Sequence, residues 1–502
     1  MAEGSISEAR RLLAQGRLDE ARALLERAVT AAPLDPAARI ALADLLVTSR
    51  RPDLALRVCE AGLQRLGADA GLLCAKARAL QNVSRVAEAE AAYRQALQLD
   101  PTRAEARYGL ALQATEAGDW DAAQALVQAI PGPRGPAFGW LAARIALGRA
   151  DFASAAEAAR ETLSAAGLGP EQHAETELLL GEALDGLGRH AEAFAAFSRG
   201  KQTQRGFYAE RAAGREAEAD KLDRLAAWFG AADPAPWRTA PNAPTDPARP
   251  GHVFLVGFPR SGTTLLEQAL AGHPRLAALE EAPTLAEAYA EFMTGPDGLE
   301  RLARLAGAEA ARWRAAYWAA VDKGCPEARG RVFLDKAPAG TLYLPLVAKL
   351  FPDASVLFAL RDPRDVALSC FRSGFQMNAL TYAFTDLAET ARCYGASMAM
   401  AQVYRRVLPL RVMDVRYERL VDDFAGELGR ITDFLGLDPA PGMTDVAATA
   451  RRRVVRTPSA AQVRAGLNRQ GLGRWRAYAD ELAPILPLLA PWVEAFGYGG
   501  SG

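Results

Sequence analysis

The chain is 502 residues long, 50% hydrophobic and 24% charged, which suits two or three globular domains with sizeable cores. Its 59 Lys and Arg nearly cancel its 60 Asp and Glu, which argues against a general nucleic-acid binder, because that role needs a basic excess. No stretch reaches about 18 consecutive apolar residues, and the opening MAEGSISEARRLL has no basic region leading into an apolar core, so neither a membrane span nor a secretory signal is expected.

Residues 1–210 are rich in Ala, Leu, Arg and Glu, with almost no β-branched runs, and they read as helices. The segments GRLDEA, RPDLA, VAEA and GDWDAA bring alanines to Ala21, Ala55, Ala89 and Ala123, each 34 residues after the last. Seven residues further on sit Ala28, Gly62 and Ala96, again small, and Pro33 and Pro101 close units. Small residues at these points let two antiparallel helices approach closely, and at least three such hairpins must stack to bury an apolar face. A 34-residue helical hairpin period resembles the tetratricopeptide repeat (TPR). The register then loosens: Ala155 and Ala193 follow at intervals of 32 and 38, with IPGPRGPAFG (130–139) between repeats. The reading is four regular or nearly regular repeats and two degenerate ones.

Residues 211–250 read as a connecting helix followed by a Pro-rich linker or surface strap, WFGAADPAPWRTAPNAPTDPARPG. Beyond it, VFLVGF, RVFLDK, ASVLFALR and PLRVMDVRY are short β-rich runs separated by helical stretches. That alternation predicts a parallel sheet flanked by helices over 251–502.

VFLVG (253–257) has the continuous apolar character of a central parallel strand, and FPRSGTT then leads into a helix that stops at Gly272–His273–Pro274. A loop between a strand's end and a helix's start presents unpaired N–H groups and the positive end of a helix dipole to an anion. Gly257 and Gly262 have P-loop spacing, but Thr263 stands where a nucleoside triphosphatase carries its Lys. A γ-phosphoryl group requires that Lys and Mg²⁺, whereas a sulfuryl group carries less charge. Pro259, Arg260, Ser261, Gly262, Thr263 and Thr264 then form the anion loop. The wording PRSGTT closely resembles the 5′-phosphosulfate loop of sulfotransferases that use 3′-phosphoadenosine 5′-phosphosulfate (PAPS) and release its desulfated product (PAP).

A second motif agrees with that resemblance. ASVLFALRDPRDVALSCFRSG (354–374) reads as strand, turn and helix, and it resembles the family's 3′-phosphate motif, with Arg361 and Ser369 as the phosphate ligands. PRSGTT…HP followed by Glu280–Glu281 matches the tyrosylprotein branch of the family, whose register makes Glu281 the catalytic carboxylate, with Glu280 as the alternative. The bland reading of this pair is a cap on a helix near Pro283. His252 and His273, one before the strand and one ending a helix, are poorly placed as bases. Lys336 matches the lysine that steadies the leaving group, at the sheet edge where ligands collect in open α/β folds. Residues 456–478 resemble a segment that closes over the donor, with Ser459 near the sulfuryl group and Arg464 as a phosphate cation; Tyr417 matches a tyrosine near the donor. Arg451–Arg453 reads as a solvated basic face.

The implied protein is a TPR solenoid followed by a P-loop-like PAPS-dependent sulfotransferase domain, without a metal. Its acceptor hydroxyl belongs to a protein tyrosine or another phenol, or to a sugar or alcohol. The TPR groove would recruit a peptide or protein, pack on the catalytic domain or form a homodimer. Cys59, Cys74, Cys325, Cys370 and Cys393 are scattered and odd in number, which suits a reducing cytoplasm. A P-loop kinase or ATPase, and a TPR scaffold with an inert nucleotide domain, are the competing readings.

Overall fold

The computed structural model describes residues 2–83, 85–130, 135–238, 246, 248–453, 464, 466–467 and 469–499. The chain divides into two compact units, Met1–Leu168 and Gly169–Gly502.

In the first unit the described residues form five hairpins: Ala2–Ala14 with Leu18–Ala31, Pro36–Thr48 with Pro52–Leu66, Ala70–Asn82 with Val86–Leu99, Ala104–Ala117 with Trp120–Gln128, and Pro136–Gly148 with Phe152–Ser164. The alanines that mark the period do what their size allows: Ala21, Ala55, Ala89, Ala123 and Ala155 are all fully buried. Close approach also fixes Gly109, where a Cβ would lie 2.2 Å from the Tyr93 ring. Within hairpins the turn passes through a left-handed residue at Gly16, Arg50, Gly118 and Ala150.

The second unit opens with a sixth hairpin, Pro170–Gly186 and His190–Ala212, again with a fully buried alanine at Ala193. The helix Glu218–Ala231 follows and packs on the long helix Leu387–Val407. Composition suggested a linker from Trp228, but Phe229 and Trp237 are buried in the core against Tyr404 and each other. Two large rings bury enough apolar surface to override the proline content around them.

The sheet has five parallel strands in the order β2-β3-β1-β4-β5: β1 Gly251–Gly257, β2 Leu276–Glu280, β3 Val332–Lys336, β4 Ser355–Leu360 and β5 Arg411–Arg416. The four β-rich runs of the sequence are β1, β3, β4 and β5; β2 was not expected, because LAALE has helical composition. Alternate residues of each strand enter two cores. Phe254, Val256 and Phe333 pack on one face, and Val253, Leu255 and Leu334 on the other. From β1 the chain turns towards β2, and from β4 towards β5, so the switch point lies between β1 and β4. Ligands of open α/β sheets bind at the carboxyl ends of strands at such a point.

Candidate active site

The loop after β1 is shaped by close backbone contacts. A Cβ on Gly257 would meet the Ala359 carbonyl of β4 at 2.7 Å. Gly262, at φ +95°, caps the helix Thr263–Ala271, and a Cβ there would strike the Tyr417 ring at 2.5 Å. Ser261, Thr263 and Thr264 are all buried at the helix start, where the first N–H groups have no intrahelical acceptor. Arg260 is left-handed at φ +70°, a conformation costly for a residue with a side chain.

β4 delivers the second set of groups. Asp362 caps the helix Pro363–Arg372 by accepting from Arg364 N, and the helix presents Ser369 to the loop: Arg260 Nε donates to Ser369 Oγ at 2.9 Å. Arg361 Nη1 donates to the Arg260 carbonyl at 3.0 Å, its Nη2 to the Gly471 carbonyl, and its guanidinium lies 4.9 Å from the centroid of the Tyr417 ring. Burial, reinforced by the Arg361 charge, pushes the Arg260 guanidinium down to about 10, so it is still cationic at neutral pH. The structure thus brings Arg260, Gly262, Arg361, Ser369 and Tyr417 together at the switch point. Pro259 belongs to the same turn, its carbonyl 3.4 Å from Cys370 Sγ.

β2 and β3 supply the carboxylates and the lysine. Glu280 ends β2 opposite Lys336 at the end of β3, and Glu281 N donates to the Lys336 carbonyl at 2.8 Å. Lys336 Nζ lies 2.8 Å from Glu281, 3.3 Å from Glu280 and 3.5 Å from Glu267. Burial alone would lower the Lys336 ammonium, but Glu267, Glu281 and Glu280 together hold it above the ordinary lysine value. Glu281 is itself left-handed at φ +47° and caps no helix, since the next one starts at Ala286. The β3 exit loops back to the end of β1, where Thr341 Oγ1 donates to the Gly257 carbonyl at 3.1 Å.

The places of three charged residues, two in this site and one behind it, escaped the sequence reading. Glu267, on the loop's own helix, is fully buried between Lys336 and Arg453 Nη1 at 3.2 Å. A glutamate inside the apolar run TTLLEQAL was the available signal. Arg453 is therefore not solvated: it pairs with Glu267 and donates to the Ala278 carbonyl at 2.7 Å, while Arg451 and Arg452 are exposed. Asp335, on the other face of β3, accepts from Tyr317 Oη and Thr284 Oγ1, both at 2.8 Å. His252 is the second residue of β1 rather than ahead of it; burial in an aromatic cage pushes it down to about 3, at the strand's far end from the site. His273 is held by the Asp438 carbonyl and Arg275 N. Ser459 lies outside the described residues, and Arg464, which is described, is half-buried.

Residues 250–441 match the family model described as sulfotransferase family, and residues 12–78, 84–136 and 141–205 match tetratricopeptide repeat models. Among curated proteins, an uncharacterized protein of Aquifex aeolicus is 27% identical over 47% of this chain and 32% of its own length. The nodulation protein NoeE of Sinorhizobium fredii is 30% identical over 37% of this chain and 50% of its own. A Caenorhabditis briggsae protein named "Putative protein-tyrosine sulfotransferase" is 24% identical over 50% of this chain and 89% of its own. The chain thus spans a third to a half of the first two relatives, and no described helix is long and apolar enough to cross a membrane. It carries a sulfotransferase-family domain behind an N-terminal array of tetratricopeptide repeats.

Proposed function

We propose that the second unit transfers the sulfuryl group of PAPS to an acceptor hydroxyl. The observation that carries this is the Lys336–Glu281 ion pair of 2.8 Å at the end of β3, beside a P-loop-like turn with threonine in place of lysine. The residues fit the donor. Arg361 Nε is buried without an acceptor among the described residues, which suits a 3′-phosphate shared with Ser369. The N–H groups of the helix start, with Ser261, Thr263 and Thr264, suit the 5′-phosphosulfate.

Glu281 takes the acceptor's proton as the acceptor oxygen bonds to sulfur. The bond from sulfur to the bridging oxygen breaks, and its electron pair stays on the phosphate of PAP. Lys336 and Arg260 offset the charge that develops there and on the sulfuryl oxygens. Ser459 and Arg464 belong to this reading as groups of the closing segment. A phenol, with a pKa of about 10, gives up its proton more readily than an alkyl hydroxyl, and the C. briggsae relative's name points the same way, so tyrosine is the proposed acceptor. The repeats recruit the peptide or protein that bears it. The five cysteines are buried and free, as suits a cytoplasmic protein.

The test is labelled PAPS incubated with native lysate, together with thermal-shift titration of PAP against ATP–Mg²⁺. PAP should stabilise the protein, Arg260→Ala should abolish that effect, and Glu281→Gln should bind PAP normally while transfer falls about 10²–10⁴-fold. Stabilisation by ATP–Mg²⁺ alone would sink the proposal in favour of a kinase.

A further inference from the structure

The sixth hairpin follows the repeat pattern, yet its buried polar groups face the helix Pro363–Arg372, which carries Ser369. Asp185 is the centre of that contact. Its side chain is 1% exposed and meets Arg372 Nη2 at 2.5 Å, the Arg474 guanidinium, Tyr478 Oη at 2.6 Å and His190 Nδ1 at 3.3 Å. Burial alone would raise the carboxyl, but Arg372, the Tyr478 hydroxyl and Arg474 hold it below its ordinary value, so it is an anion in the folded protein. Around it the hairpin is seated by Lys201 Nζ, which donates to the Ser373 carbonyl at 2.6 Å, and by Phe194 stacked on Phe371.

The partners of Asp185 matter more than its own location. Arg372 ends the Ser369 helix, while Arg474 and Tyr478 follow directly on Gly471, whose carbonyl takes Arg361 Nη2. Asp365, on the same helix, accepts from Gly473 N at 2.8 Å and Trp475 N at 2.9 Å. Two guanidiniums therefore converge on one carboxylate oxygen, Asp185 Oδ2. Without its charge the two guanidiniums, held close together beside a buried site, would repel each other, and the segment would be driven off the helix. We infer, resting on the donor site proposed above, that Asp185 is a positioning residue: it clamps Gly471–Tyr478 to the Ser369 helix and thereby fixes Arg361 and Ser369 for the donor.

Calorimetric titration of the full chain with PAP tests this. Asp185→Asn should weaken PAP by about tenfold or more, as expected when a buried ion pair loses one partner. Arg205→Gln breaks the 2.7 Å pair with Glu389 that seats the same hairpin elsewhere; it should lower Tm yet leave PAP affinity within about twofold. Asp185→Asn combined with Arg474→Gln removes the repulsion and should regain most of the affinity, which a merely structural role would not do. If Asp185→Asn is insoluble, Tyr478→Phe withdraws one donor from the same carboxylate and should weaken PAP about threefold. Wild-type affinity in Asp185→Asn, or in Tyr478→Phe where Asp185→Asn is insoluble, or no rescue in the double variant, overturns the clamp alone. A wild-type chain that does not bind PAP overturns the donor site and the clamp with it.

Discussion

Asp335 and Lys336 are neighbours in sequence but face opposite sides of β3, and they meet opposite fates. Lys336 has three carboxylates around it, whereas Asp335 has only hydroxyl donors in an apolar core, and burial pushes its carboxyl from 3.8 up to about 6. The folded state therefore holds that proton more tightly than the unfolded chain. The resulting stabilisation is complete below about pH 4 and is lost as pH rises through about 6, to a limit of roughly 3 kcal/mol. Asp335→Asn is neutral throughout and can still accept from Tyr317 and Thr284. Urea unfolding should show its stability relative to wild type improving by that order between pH 4 and pH 7; a constant difference would contradict the shift. At this scale the motif spacing made Arg260, Glu281 and Lys336 legible. Asp335 and Glu267 were not, because their roles depend on which side chains from distant segments close around them.

The loop after β1 holds its shape as an element because several of its backbone positions tolerate so little. Gly262 needs both a left-handed φ and an absent Cβ, so Gly262→Ala must displace the Tyr417 ring that underlies Arg361. The left-handed strain alone costs about 1–2 kcal/mol, enough to weaken PAP about tenfold in a calorimetric titration; unchanged affinity would show that the loop has room. Arg260 and Glu281 share this backbone habit without being glycine, which marks both as held by their surroundings rather than by preference. Apolar runs announced β1, β3 and β4, and PLRVMDVRY announced β5. β2 went unread because LAALE becomes a strand only through its ladder with β3, a partner that comes over fifty residues later.

For the whole molecule, repeat pattern and compact unit part company at the sixth hairpin. The pattern runs through Ala193 and the repeat match ends at residue 205, yet the hairpin's packing belongs to Gly169–Gly502. Sequence periodicity reports which helices form a pair; it does not report which neighbour the pair's outer face meets. A fragment beginning at residue 169 should fold and melt cooperatively by calorimetry. One beginning at residue 213 loses Asp185, Lys201, Phe194 and Phe197 and should melt many degrees lower or aggregate; equal stability of the two would refute the division. The clamp also sets where repeat arrays can be exchanged between proteins of this kind. A graft spliced at Leu168–Gly169 brings a new array while leaving the second unit its own counter-ion. A graft spliced where the repeats end would remove that counter-ion, and a chimera that had merely lost its clamp would be mistaken for one whose new array was incompatible with the second unit.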